Sequence, residues 1–229
     1  MPSLRPSKIS RIYLVRHGHS TANAKSILAG QDQSVELSEL GILQSAEIAK
    51  NLHEVKFARI YSSPLTRCLQ SVRPLANLQK MTISELPGVI EMNYGDWSGK
   101  KLVTLARTKL WKVIQSEPSL VRFPNGESFT QMQDRALEAV RIAAVDGKNI
   151  LVCSHGDVIK AIIAGTIGLH LDQIQRLVID PASISIIEIT KDSARALTVN
   201  DTSHLVKLQS SSKKESKLKL GGGSGSKRS

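Results

Sequence analysis

Short apolar runs alternate with segments of helical periodicity along most of this 229-residue chain, and no other feature restricts its fold more. Arg11-Ile12-Tyr13-Leu14-Val15 and Asn149-Ile150-Leu151-Val152-Cys153 are apolar almost throughout, as strands buried on both faces are. Ala58-Arg59-Ile60-Tyr61 and Met81-Thr82-Ile83 predict two shorter strands. Helices are expected over 38–52, with Ser38 as N-cap, and over 102–116, 128–145 and 158–169. Another starts at Ser63-Pro64, read as an N-cap followed by proline in the first helical position, and runs to about Gln79. The segments 176–179, 183–189 and 194–199 predict further strands, and the turn Lys191-Asp192-Ser193 makes the last two an antiparallel pair. Gly, Pro and Asn mark 86–99 and 117–127 as loops. Strands alternating with helices define the α/β class: a three-layer α/β/α sandwich with a mostly parallel central sheet.

Composition narrows what such a fold does. Apolar residues make up 41% of the chain and charged residues 22%, as in soluble globular proteins. No stretch approaches the ~20 apolar residues of a membrane span. Met1 to Arg11 is basic but lacks the apolar core of a signal peptide, so the expected location is the cytoplasm. The two cysteines, Cys68 and Cys153, sit in apolar contexts and read as reduced, buried thiols. The net charge of +11 lies mostly in the termini. Lys207 to Ser229 holds seven Lys/Arg and one Glu, and Met1 to Arg11 adds Arg5, Lys8 and Arg11. The body between them is nearly neutral, so no nucleic-acid partner is expected. Residues 1–208 read as a single catalytic domain, and 209–229 as a basic Ser/Lys/Gly-rich disordered tail.

The chemistry concentrates where strands end. In open α/β sheets ligands bind at the carboxyl edge, and two strands end alike, in Arg16-His17-Gly18 and Ser154-His155-Gly156. If these strands are neighbours, both histidines face one cleft, and Gly18 and Gly156 let the backbone approach a ligand. Arg67 lies in the first turn after Ser63-Pro64, where free N–H groups already favour an anion. With Arg16 and the two histidines it makes a tetrad suited to a dianionic phosphate. Either Glu91 or Asp96, both in the loop 89–97, could supply a proton to a leaving oxygen. A metal is not expected: His17 and His19 could form a ligand pair, but arginines stand where a metal phosphatase would place carboxylates. His53, His170 and His204 read as structural or surface residues.

Arg16-His17-Gly18, Ser62-Ser63-Pro64-Leu65 with Arg67, the loop from Glu91 to Gly99, and Ser154-His155-Gly156-Asp157 together resemble the histidine phosphatase superfamily, in its phosphoglycerate-mutase-like branch. The resemblance spans about residues 11 to 205 and implies a phosphoglycerate mutase-like fold. It implies that His17 is the nucleophile and becomes phosphorylated. Arg16, Arg67 and His155 would hold the phosphoryl oxygens, and Glu91 would act as acid and then base. Asn23 matches a position that contacts the phosphate, and Gln31 falls in a loop lining the same pocket. The Gly18 carbonyl is well placed to accept a hydrogen bond from the His17 ring.

The reaction expected is hydrolysis of a small-molecule phosphate ester, without cofactor. True phosphoglycerate mutases carry a longer insertion after the acid with extra arginines, whereas 95–122 is compact and lacks an adjacent arginine pair. The alternative is a phosphomutase, which would need a 2,3-bisphosphoglycerate-type primer; a non-catalytic binder of phosphorylated ligands is a third reading. Small dimers among similar proteins point to a homodimer.

Overall fold

The computed structural model describes residues 8–145, 147–190 and 193–209; the expected tail beyond 209, the first seven residues, and Lys191 and Asp192 of the expected turn lie outside them. In chain order the elements are β1 (Ser10–Arg16), α1 (Thr21–Ala24), α2 (Glu39–Leu52), β2 (Phe57–Ser62), α3 (Thr66–Gln79), β3 (Ile83–Glu85), α4 (Leu102–Leu105), α5 (Lys109–Ser116), α6 (Phe129–Ala143), β4 (Asn149–Ser154), α7 (Gly156–Ile167), β5 (Ile184–Ile189), β6 (Ala194–Asp201) and α8 (Val206–Gln209). They form a six-stranded sheet in the order β3-β2-β4-β1-β5-β6. β3, β2, β4 and β1 run parallel, and β5 is antiparallel to both β1 and β6.

Side chains alternate across each strand, and the two faces build two cores. Ile12, Leu14, Ile150 and Val152 pack toward Phe129, Met132, Ala136 and Val140 of α6 and Val158, Ile159 and Ile162 of α7. Val15, Ile60, Leu151 and Cys153 pack toward Ile48, Ala49 and Leu52 of α2 and Cys68, Val72 and Leu75 of α3. The sheet is thus covered on both faces. Among the described residues no helix is long and apolar enough to cross a membrane.

Caps explain most helix starts. The Ser38 hydroxyl accepts from the Gly41 N–H, and Ser128 and Gln131 form a reciprocal capping box at α6. Four expectations need correction. The helix over 102–116 is two pieces, because the Thr108 hydroxyl donates to the Leu105 carbonyl at 2.7 Å and caps α5 through the Trp111 N–H. No strand forms over 176–179: the Ile179 carbonyl accepts from Arg16 instead, and the next N–H, of Asp180, goes to the Asn200 side chain. β3 begins two residues late, since the Met81 N–H still closes the end of α3 on the Ala76 carbonyl. Ser63 does not cap α3, which starts at Thr66 without a side-chain cap.

Candidate active site

β1 and β4 are adjacent and parallel, with Arg16 opposite Ser154, so His17 and His155 leave the same edge of the sheet side by side. Their ring centroids are 5.2 Å apart. The His17 backbone is fixed from both sides: its N–H donates to the Ser154 carbonyl, and its carbonyl accepts from Ala182. Gly18 meets the start of α2, where a Cβ would come within 2.9 Å of the Gly41 carbonyl oxygen. The His17 Nδ1 lies 2.7 Å from the Gly18 carbonyl oxygen, as expected. A carbonyl only accepts, so Nδ1 carries the proton and Nε2 keeps its lone pair. Burial, then Arg67 and Arg16, push the His17 pKa well below its ordinary value, so the ring is neutral.

Arg67 is 1% exposed in the first turn of α3. Its Nη2 donates to the Gly30 carbonyl at 2.7 Å and its Nη1 to that of Asp32 at 3.2 Å. Arg16 donates from Nη1 to the Ile179 carbonyl at 2.6 Å, while its buried Nε has no hydrogen-bond partner among the described residues. A buried unpaired donor is costly, and an anion oxygen would satisfy it.

His155 is fully buried and precedes the first residue of α7, Gly156. Its Nε2 lies 2.8 Å from the Ser63 hydroxyl and 3.5 Å from the Cys68 sulfur, and its Nδ1 lies 3.4 Å from Arg67 Nη2. Arg67 only donates, so Nδ1 is the accepting nitrogen in this state and Nε2–H donates to Ser63. Glu91 is 6% exposed. One of its oxygens accepts from the Met92 N–H at 2.9 Å, and the other stands 3.7 Å from His155 Nδ1. The contact is close enough for an ion pair, yet His155 is neutral near pH 7 and Glu91 keeps its proton below about pH 7. Burial first, and then Asp157, raise the Glu91 pKa to about 7 against the pull of Arg67 and Arg16. Burial and the same arginines hold His155 well below its ordinary value. Behind Glu91, Tyr94 donates to Asp157 at 2.9 Å, and the buried Lys160 donates to Gln175 at 3.0 Å.

The edge therefore gathers His17, His155, Arg16, Arg67, Glu91 and Gly156 as the sequence suggested. Asp96, the competing acid, is exposed and takes its hydrogen bonds from the Asn125 amide. Asn23 is half-buried, and its side-chain oxygen accepts from the Ser20 N–H and hydroxyl. Gln31 reaches the site only through the Glu91 backbone, donating to its carbonyl at 2.8 Å. His19 bonds Ser38, His53 meets the Lys50 carbonyl and His204 that of Ala182, while the ring of His170 caps the Asp172 N–H. Among the described residues no group of three or more His, Cys, Asp or Glu could hold a metal ion. Sequence reasoning missed Ser63, read as a cap, and Arg135 and Glu127, which carried no signal of their own.

A neutral nucleophilic nitrogen, two guanidiniums, a helix N-terminus and a protonated carboxyl in one buried cluster can take a phosphoryl group and protonate what leaves. The model of the histidine phosphatase superfamily (branch 1) matches residues 12–202. The metal-independent phosphoserine phosphatase of Arabidopsis thaliana is 31% identical over 163 residues, 68% of each chain. The probable phosphoglycerate mutase GpmB of Yersinia pestis is 28% identical over 205 residues, 85% of this chain and 94% of that one. The structure of Bacillus stearothermophilus YhfR superposes with a TM-score of 0.80 at 27% identity, covering 86% of this chain and 99% of that one.

Proposed function

The chain belongs to the histidine phosphatase superfamily, and on that premise we propose that it hydrolyses small phosphomonoesters through a phosphohistidine on His17. The observation that carries this reading is the His17 ring, neutral and with its Nδ1 proton committed to the Gly18 carbonyl, which leaves Nε2 to attack. Nε2 forms the bond to phosphorus as the bond to the alcohol oxygen breaks, and that oxygen takes the proton of Glu91. A water then attacks the phosphohistidine, returns a proton to Glu91 and frees phosphate and the His17 imidazole.

Arg16 Nε, Arg67 and the N-terminus of α7 at Gly156 supply donors to the transferring oxygens, where fixed charge matters more than covalent help. His155 joins them by moving its proton from Nε2 to Nδ1. The Ser63 hydroxyl permits this because it can accept from Nε2 before the shift and donate to it afterwards. No step needs a metal or a cofactor. A phosphomonoester of phosphoserine size, with an alcohol of serine size as leaving group, is the proposed substrate, after the Arabidopsis relative. Buried, unbridged Cys68 and Cys153 fit a reducing compartment, and the cytoplasm is the proposed location.

The mutase-named relative keeps a second reading in view, in which a second hydroxyl, rather than water, attacks the phosphohistidine and a bisphosphorylated primer is needed. The test is free-phosphate release from a panel of phosphomonoesters, including phosphoserine and 3-phosphoglycerate, with chelator present and His17→Ala as control. Release by the wild type alone supports the hydrolase. Isomerisation without free phosphate, dependent on a primer, selects the mutase. Neither activity leaves only binding of a phosphorylated ligand.

A further inference from the structure

We infer that Arg135, braced by Glu127, is the positioning residue for the general acid, fixing the backbone from which the Glu91 side chain reaches the phosphoryl pocket. The inference rests on the reading of Glu91 as the acid. Residues 88–93 form no ladder with the sheet, so their carbonyls need other partners. Arg135, on α6, provides them. Its Nη1 donates to the Gly88 carbonyl at 2.8 Å and to that of Ile90 at 2.9 Å, and its Nη2 to that of Glu91 at 3.1 Å. The remaining two N–H groups hold Glu127, from Nε at 3.0 Å and from Nη2 at 2.7 Å. A guanidinium has five N–H donors, and all are used.

Glu127 closes the clamp from the far side of the acid. Its carboxylate accepts from the Asn93 N–H at 2.7 Å, and its own N–H donates to the Asn93 carbonyl at 3.0 Å. The backbone is thus pinned before, at and after Glu91. Gln31 adds a second donor to the Glu91 carbonyl, and a Cβ on Gly88 would meet Ala139 of α6 at 2.5 Å. Among the described residues the Glu91 carboxyl takes a hydrogen bond only from the Met92 N–H, so its aim is set by this backbone. Lysine cannot reproduce the arrangement, because one ammonium has no planar fork to span three carbonyls and a carboxylate.

A residue that merely stabilises the fold would slow every substrate alike, whereas one that aims the acid matters when the leaving alcohol needs a proton. The experiment compares wild type, Glu91→Gln and Arg135→Lys, with kcat/KM measured for phosphoserine and for p-nitrophenyl phosphate. This ratio reports the steps up to the phosphohistidine, before the water-activating half of the cycle. Arg135→Lys is expected to lose about 10- to 100-fold on the alkyl ester and stay within about threefold on the aryl ester, whose leaving group needs little protonation. Equal losses on both esters, or none on either, would overturn the inference. Should Arg135→Lys fail to fold, Glu127→Gln is read by the same criterion. If Glu91→Gln itself shows no preference between the esters, the acid reading falls and the clamp falls with it. If Glu91→Gln shows it and the clamp variants do not, the clamp alone is refuted.

Discussion

Replacing Glu91 by glutamine should make the protein more stable above neutral pH, by an amount the burial of this group sets. In the unfolded chain Glu91 ionises near its ordinary 4.5, whereas in the folded chain burial and Asp157 raise it to about 7. Between those values the unfolded chain has released a proton that the folded chain still holds, so stability falls as pH rises. Each pKa unit is worth about 1.4 kcal/mol, so the whole window removes about 3 kcal/mol. Glutamine does not ionise, and its side-chain oxygen can still accept from the Met92 N–H. Titrating groups that do not interact with Glu91 are shared by the two proteins and cancel in the difference. The variant's advantage over wild type should therefore be constant below about pH 4.5, grow by about 3 kcal/mol toward pH 7, and level off above it. Urea unfolding followed by Trp97 and Trp111 fluorescence measures this. A difference that stays flat across the window, or that turns against the variant as pH rises, would refute the claim that the folded site keeps Glu91 protonated.

The same carboxyl should shape catalysis. After allowance for the substrate's own phosphate ionisation near 6, kcat/KM for an alkyl phosphate should fall about tenfold per pH unit above about 7, because Glu91 must carry its proton to act as acid. On the acid side His17 stays neutral to well below its ordinary value, so the plateau should extend downward. An alkaline fall equally steep for an activated aryl ester would assign that ionisation elsewhere. Ser63→Ala should cost about 10²-fold on alkyl and aryl esters alike, because Ser63 bonds His155, whose proposed role is at the phosphoryl oxygens and not at the leaving group. Ser63→Thr, which keeps the hydroxyl, should recover much of the activity; a loss confined to alkyl esters would contradict the role given to Ser63.

The fold and the pocket's principal residues were legible for different reasons. Short apolar runs and the turn residues between them located β1, β2, β4, β5 and β6, and two His-Gly strand ends pointed to one edge. Local hydrogen bonding hid the rest. Thr108 breaks a helix that periodicity reads as continuous, and the Ile179 carbonyl leaves the sheet for Arg16 across 163 residues of sequence. Ser63-Pro64 has the pattern of a helix start, yet the hydroxyl turns to His155, a partner 92 residues away. Arg135 was invisible because its task is to satisfy carbonyls, which carry no residue identity.

The central claim, a phosphoryl group carried on His17, is tested most directly by trapping it. Rapid acid-free quenching of the protein turning over an aryl phosphate, followed by peptide mass spectrometry under alkaline conditions, should find one acid-labile phosphoryl group on the peptide containing His17. It should be absent in His17→Ala, which should also be inactive. A phosphoryl group on another residue, or turnover by His17→Ala close to that of the wild type, would contradict the account.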